Sequence, residues 1–189
     1  MIITIREKIG REPSLELRTL VSGNADEVFD VIDKNREYLR KWLDWVDGTL
    51  SPYHTLGTIE RWKKAFDEKS GFVFGIFYGG NYIGNIGIHD INKNNNSAMI
   101  GYWLGKNHQG KGIMTDCVRV LTNFGFDELE LNRIWIGCAF GNVKSRAIPE
   151  RLGYVQEGIL QDGICLYGVY HDGVIYGVVK RNWKKQINK

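Results

Sequence analysis

The sequence predicts a mixed α/β fold built on one central, partly antiparallel sheet, and three observations lead there. Hydrophobic periodicity switches along the chain, from helical spacing in the first third to strand-like runs between residues 72 and 104. Gly79-Gly80-Asn81 joins two of those runs as a hairpin signal, and two more strands close the chain. The 189 residues are 43% apolar and 25% charged, ordinary globular usage that excludes global disorder. No repeat, long linker or break in composition divides them, so residues 1–189 read as a single domain.

The elements follow in order. Residues 15–20 alternate as a half-buried strand does. Asn24 with Glu27 three residues on reads as a capping box, opening a helix with Val28, Phe29, Ile32, Leu39 and Leu43 on its inner face. Tyr38, Trp42 and Trp45 form a second stripe at helical spacing, which suits a core or a substrate-pocket wall equally. Ile59, Trp62 and Phe66 mark another helix. Residues 72–78, 82–88 and 99–104 are strands, the last two separated by the polar loop Lys93-Asn94-Asn95-Asn96. Ile113, Cys117, Val120, Leu121 and Phe124 return to helical spacing. A buried strand at 134–138, a short helix at 142–152 and strands near 164–170 and 174–179 complete the chain.

Composition excludes several function classes. A net charge of +3 is too small for the concentrated basic face that nucleic acid requires. The basic stretch Lys180-Arg181-Asn182-Trp183-Lys184-Lys185 reads as a solvated tail, with an acidic or RNA-bearing partner as the alternative. No apolar run approaches the ~20 residues of a membrane span, and the N-terminus lacks a signal-peptide core. A cytoplasmic protein that neither binds membranes nor contacts nucleic acid directly is the expectation. Cys117, Cys138 and Cys165 are widely spaced, which argues against a disulfide framework or a zinc site and for buried free thiols.

The stretch Tyr102-Trp103-Leu104-Gly105-Lys106-Asn107-His108-Gln109-Gly110-Lys111-Gly112-Ile113-Met114 runs strand, glycine-rich turn, helix start. A helix N-terminus offers unpaired backbone N–H groups and a partial positive charge, and glycines let an anion approach them closely. Lys111 adds a mobile cation. Gly105-x4-Gly110-Lys111 nearly matches a nucleotide-binding P-loop, yet Gly112 stands where Ser or Thr should hold Mg²⁺. A hairpin also precedes it where a βαβ unit should be, and no glycine fingerprint of a dinucleotide fold opens the chain. A plain turn capping a helix stays open as the alternative to a phosphate site.

One strand later comes Asn142-Val143-Lys144-Ser145-Arg146-Ala147-Ile148-Pro149-Glu150-Arg151-Leu152-Gly153-Tyr154. Asn142 and Ser145 share a helix face, as a cap and first-turn residue also would. Pro149 cannot donate to the Ser145 carbonyl, leaving that acceptor for another donor, and Gly153 fits the residue that ends the helix.

Together the two clusters resemble a family. Gln109-x-x-Gly112-x-Met114 is similar to the acetyl-CoA pyrophosphate loop of the GNAT N-acetyltransferases, and Asn142-x-x-Ser145 with Gly153-Tyr154 to their second cofactor segment. Ile100-Gly101-Tyr102-Trp103-Leu104 looks like the strand that pairs with the pantetheine arm. Gly173-Val174-Ile175-Tyr176 and Lys180-Arg181-Asn182-Trp183 resemble the end of the RimJ/RimL-type branch, which acetylates N-termini of ribosomal proteins. The resemblance implies a mostly antiparallel central sheet, splayed in the middle and flanked by helices. It implies that the backbone of Gln109, Gly110, Lys111, Gly112, Ile113 and Met114 holds the pyrophosphate. Tyr102, Trp103 and Leu104 would pair with the pantetheine amides and polarise the thioester carbonyl. Asn142 would contact the cofactor arm, and Ser145 would lie near the sulfur. Relatives are often dimers, which makes a second copy a candidate partner.

Two positions depart from the family pattern. Met114 replaces a small residue and would crowd the diphosphate unless it points into the core. Met99 stands where many relatives carry a glutamate as candidate base, just before the Ile100 to Leu104 strand. A free α-amine is about 14% neutral at pH 7, whereas a lysine side chain is neutral about once in 2,500 molecules. An enzyme without that base therefore favours an α-amine, and a protein or peptide N-terminus is the expected acceptor. His89 is a candidate base, directly or through water. Ser145 and Tyr176 are candidate donors to the departing thiolate. A small-molecule amine acetyltransferase and a non-catalytic acetyl-CoA-binding module are the alternative readings.

Overall fold

The computed structural model describes residues 4–5 and 13–187, the side chains of 184–187 excepted. Eight strands form one mixed sheet in the order β1-β2-β3-β4-β5-β6-β8-β7. The strands are β1 (Thr4–Ile5), β2 (Leu15–Arg18), β3 (Phe72–Tyr78), β4 (Asn81–Asn92), β5 (Ser97–Leu104), β6 (Arg133–Ala139), β7 (Val155–Leu166) and β8 (Val169–Val179). The helices are α1 (Ala25–Lys34), α2 (Arg36–Leu39), α3 (Pro52–Asp67), α4 (Ile113–Asp127), α5 (Val143–Arg151) and α6 (Lys180–Ile187). β1 and β2, β2 and β3, β6 and β8, and β7 and β8 pair antiparallel. β5 and β6 run parallel, and their register covers only Ser97 to Met99 against Arg133 to Trp135. No helix among the described residues is long and apolar enough to cross a membrane.

The described residues pack as two compact units, one drawn from residues 1–87 and 102–117 and the other from residues 88–101 and 118–189. In the first, β2 alternates as its sequence does, burying Leu15 and Leu17. Its helices enclose an apolar cluster that includes Val28, Ile32, Leu39, Val46, Ile59, Phe77 and Tyr82. The Thr55 hydroxyl, buried, donates to the Ala25 carbonyl at 2.8 Å and ties α3 to α1. The expected capping box does not form. Asn24 Oδ1 accepts from the Val21 N–H at 3.0 Å, and Glu27 Oε1 accepts from the Tyr82 N–H at 3.0 Å. A carboxylate that finds a strand amide 55 residues away has left the local cap for a tertiary one. The single long helix of the sequence reading also breaks, at Asn35 between α1 and α2, and Leu43 follows in an extended segment.

Gly84 of β4 lies so close to β5 that a Cβ there would overlap the Trp103 carbonyl oxygen. Only hydrogen fits at that point, so β4 can approach the backbone of Trp103 and Leu104 closely.

In the second unit β8 is central, flanked by β6 and β7. The sequence placed the closing hairpin wrongly: the segment read as one strand at 164–170 straddles a turn at Tyr167 and Gly168, and β7 begins back at Val155. Two register shifts interrupt β7, near Glu157 and between Leu160 and Ile164. Each bulge resets which face a side chain meets, so no alternating pattern survives to be read. Its Val155, Ile159 and Leu160 are moreover exposed.

The basic stretch at 180–185 is helical, with Arg181 and Asn182 exposed as a solvated tail would have them but with Trp183 docked. It lies in α6, where Trp183 is buried and its indole N–H donates to Asn123 Oδ1 at 2.7 Å. The Lys180 ammonium donates to the Phe126 carbonyl. Thr122 and Tyr154 share a buried hydroxyl–hydroxyl bond of 2.6 Å nearby, with the Tyr154 and Trp183 rings edge to face.

Candidate active site

The glycine turn is assembled within the first unit. At the end of β5 the Gly105 N–H donates to the Ile83 carbonyl at 2.9 Å. The Lys106 N–H donates to Asn35 Oδ1 at 2.9 Å, while Asn35 Nδ2 donates to the Val31 carbonyl at 2.8 Å. Asn35, at the α1–α2 break, thus anchors the entry to the turn. A short 3-10 turn at Lys106–His108 follows, and Gln109 Nε2 reaches back to the Leu104 carbonyl at 3.5 Å.

Gly110 and Gly112 then take φ of 72° and 76°, the left-handed region that glycine enters without steric cost. The space where a Gly110 Cβ would sit is open for 4 Å. The Asp116 N–H donates to the Gly112 carbonyl at 3.1 Å, so the first turn of α4 closes back onto Gly112. Residues 105–115 carry Lys106 and Lys111 and no carboxylate. Burial, and after it the charge of Lys111, hold the His108 imidazole below its ordinary pKa. Met114 is 6% exposed, so its side chain points inward and not over the turn.

The aromatic stripe divides. Tyr38 packs against the apolar cluster, whereas Trp45 is 39% exposed and its ring lies 6.1 Å from that of Trp103. Trp103 meets Tyr82 edge-on at 6.1 Å as well. Within β5, the Trp103 ring is therefore flanked by two aromatic rings.

The second unit holds the other cluster. Asn142 caps α5, its Oδ1 accepting from the Ser145 N–H at 3.3 Å. The Ser145 hydroxyl is hydrogen-bonded to the Cys138 thiol of β6, a bond that partly opposes the upward push of burial on that thiol. Tyr176 of β8 is 1% exposed. Its hydroxyl donates to Glu150 Oε1 at 2.6 Å and accepts from Arg146 Nε at 3.0 Å. On β5, Met99 and Gly101 share one face, and His89 of β4 lies against Gly101.

β5 ends in a glycine-rich turn at the start of α4, and the strand and helix that follow it along the chain, β6 and α5, carry Asn142 and Ser145 at the start of α5. Residues 14–155 match the acetyltransferase (GNAT) domain family. The chain belongs to the GNAT acetyltransferases. It is 38% identical over 171 residues to YdaF of Bacillus subtilis (strain 168), provisionally named a ribosomal N-acetyltransferase, covering 90% of this chain and 93% of that protein. The ribosomal-protein-serine acetyltransferase of Escherichia coli (strain K12) is 30% identical over 170 residues, covering 90% and 95%. RimL, a ribosomal L7/L12 alpha-N-protein acetyltransferase solved in complex with coenzyme A, superposes with a TM-score of 0.85 at 26% identity, covering 89% of this chain and 95% of that one.

This GNAT enzyme is an N-acetyltransferase that uses acetyl-CoA. The chemistry of its turn, two glycines with left-handed backbone at a helix start with two lysines and no carboxylate within residues 105–115, fits a diphosphate. Residues that the sequence reading missed are Asn35, Arg146 and Glu150. Asn35 acts on Lys106 across 71 residues, and no local signal marks it. Arg146 and Glu150 sit at helical i,i+4 spacing, a pair that was legible but gave no hint of Tyr176.

Burial holds the His89 imidazole below its ordinary pKa, partly opposed by Asp90. With the folded value depressed, the unfolded chain binds the proton more readily, so this contribution to stability is intact above about pH 6.5 and is lost as pH falls further. The acid-side loss of Tm below pH 6.5 is expected to be smaller in His89→Gln than in the wild type. Equal losses in a pH series of thermal melts would show that His89 does not titrate this way.

Proposed function

We propose that this acetyltransferase transfers the acetyl group directly from acetyl-CoA to the α-amine of a protein or peptide N-terminus, of the kind that ribosomal proteins present. The observation that carries this reading is the face of β5 that bears Met99 and Gly101, where no carboxylate stands to strip a proton from a strongly basic amine. The names of the two relatives and of RimL support it. Three cysteines without a disulfide accord with action in the cytoplasm.

Bound acetyl-CoA supplies an activated thioester, and the chain's own groups do the rest. The backbone N–H groups from Gln109 to Met114 hold the pyrophosphate, with the charge of Lys111 in support. The backbone of Tyr102, Trp103 and Leu104 would pair with the pantetheine amides and would offer an N–H group to polarise the thioester carbonyl. Asn142 contacts the cofactor arm while capping α5. Ser145 would donate a hydrogen bond to the sulfur, since a thiolate is a weak base and would need little more to depart. His89, kept neutral by burial, accepts the proton that the amine sheds, directly or through water. Holding amine and thioester together supplies much of the rate.

Ser145→Ala is expected to lower kcat about tenfold or more while leaving the acetyl-CoA KM within about twofold, as for an interaction made only during the reaction. Steady-state thiol release with a peptide acceptor reads both. An unchanged kcat removes Ser145 from the mechanism.

A further inference from the structure

Tyr176 is buried at the centre of the second unit, yet its hydroxyl is fully engaged. It donates to Glu150 Oε1 at 2.6 Å and accepts from Arg146 Nε at 3.0 Å. Arg146 does more than meet Tyr176. Its Nη1 donates to the Phe140 carbonyl at 3.2 Å, and its guanidinium stacks on the Phe140 ring at 4.2 Å. The Phe140 N–H in turn donates to the Asp172 carbonyl at 2.8 Å, which fixes that residue to β8. Arg146 and Glu150 face each other across one turn of α5, with nitrogen and oxygen 3.7 Å apart.

The bonds form a closed circuit: β8 through Tyr176, the β6–α5 connection through Phe140, and two successive turns of α5 through Arg146 and Glu150. Ser145 and its cap Asn142 lie inside it. A nine-residue helix with a proline in its last turn has few ladder bonds to hold its first turn in place. Its orientation must come from tertiary contacts.

We propose that Tyr176, Arg146 and Glu150 are positioning residues, which lock the first turn of α5 against β8 and so aim the Ser145 hydroxyl. The inference rests on the role of Ser145 given above, and it assigns Tyr176 to positioning in place of proton donation. A hydroxyl that gives its one proton to a carboxylate at 2.6 Å is poorly placed to give it to a thiolate. Burial and the Glu150 carboxylate push the Tyr176 pKa up, partly opposed by Arg146, which keeps that proton on the ring oxygen.

Tyr176→Phe keeps the buried ring and removes only the hydroxyl. The expected result is a kcat about five- to tenfold lower with the acetyl-CoA KM within about twofold, in line with the loss of hydrogen bonds to charged groups. Hydrogen exchange at the Ser145 and Arg146 amides should rise by a similar factor, while the amides of β6 and β8 keep their protection. Adding Tyr176→Phe to Ser145→Ala should cost little further rate, because the two act through one group. Glu150→Gln, which retains an oxygen acceptor, should restore most of what Glu150→Ala loses.

Unchanged exchange at Ser145 and Arg146 in Tyr176→Phe would overturn the positioning role whatever the rates do. Rate losses that multiply in the double variant would make Tyr176 an independent donor. A Ser145→Ala variant of normal kcat, together with faster exchange in Tyr176→Phe, would leave the lock standing and sink the reading of Ser145.

Discussion

Trp183→Ala is expected to destabilise the protein by about 3–5 kcal/mol, the usual cost of emptying a large buried aromatic site. For a chain of this size that is a fall in Tm of roughly 6–20 °C. The expectation follows from what Trp183 touches. The residue is 4% exposed, its ring meets those of Tyr154 and Phe126 with centroids 6.0 and 6.4 Å away, and its N–H is satisfied by Asn123 at 2.7 Å. Removing it strips α6 of its one buried aromatic anchor among the described side chains and leaves the Asn123 acceptor without that donor. Trp183→Phe should cost much less, since most of the apolar area stays covered and one hydrogen bond is worth about 0.5–1.5 kcal/mol. Arg181→Ala, on the exposed face of the same helix, should stay within about 0.5 kcal/mol of wild type. If thermal melts found Trp183→Ala as mild as Arg181→Ala, the docking of α6 described here would be wrong.

The second large effect concerns the acceptor. At pH 7 a peptide N-terminus is neutral about 300 times as often as a lysine side chain, and at pH 9 only about 25 times as often. An enzyme that relies on the neutral amine already present in solution should show that ratio in its rates. Acetylation of a peptide α-amine is therefore expected to outrun that of a lysine ε-amine by about two orders of magnitude at pH 7, with the gap narrowing roughly tenfold by pH 9. The reason lies in β5, where Met99 and Gly101 occupy the face that could have carried a base. His89, held below its ordinary pKa by burial, is too weak to deprotonate an ammonium of lysine's strength. Rates measured with matched blocked and free peptides decide the matter. A preference that stayed constant from pH 7 to pH 9, or a faster lysine reaction, would place a stronger base on the protein.

Much of the architecture was legible because its signals are local. Phe72–Tyr78 is bounded where its apolar run ends, Lys93 to Asn96 forms the loop its composition demands, and Asn142 caps α5 as a residue of its type should. Each rests on chemistry reaching three or four residues along the chain. Where the reading failed, a distant partner had displaced the local one. Glu27 and Asn24 have the spacing of a capping box, but Glu27 gains more by satisfying the Tyr82 N–H. The tail that looked solvated from its charges folds because Trp183 finds a pocket between α4 and Tyr154, a surface that exists only once the second unit has packed.

The sequence by itself determined the class of fold, the glycine turn with its lysines, and the Asn142–Ser145 pair on one helix face. Periodicity, backbone permissiveness and charge are properties of short segments, so they survive without a structure. Only the tertiary structure decided that Asn35 anchors the turn, that Met114 points inward, and that Tyr176 spends its hydroxyl on Arg146 and Glu150. Those outcomes depend on which groups the topology brings within 3 Å of each other, and a hydrogen bond across 30 or 71 residues leaves no trace in the spacing of either partner's neighbours.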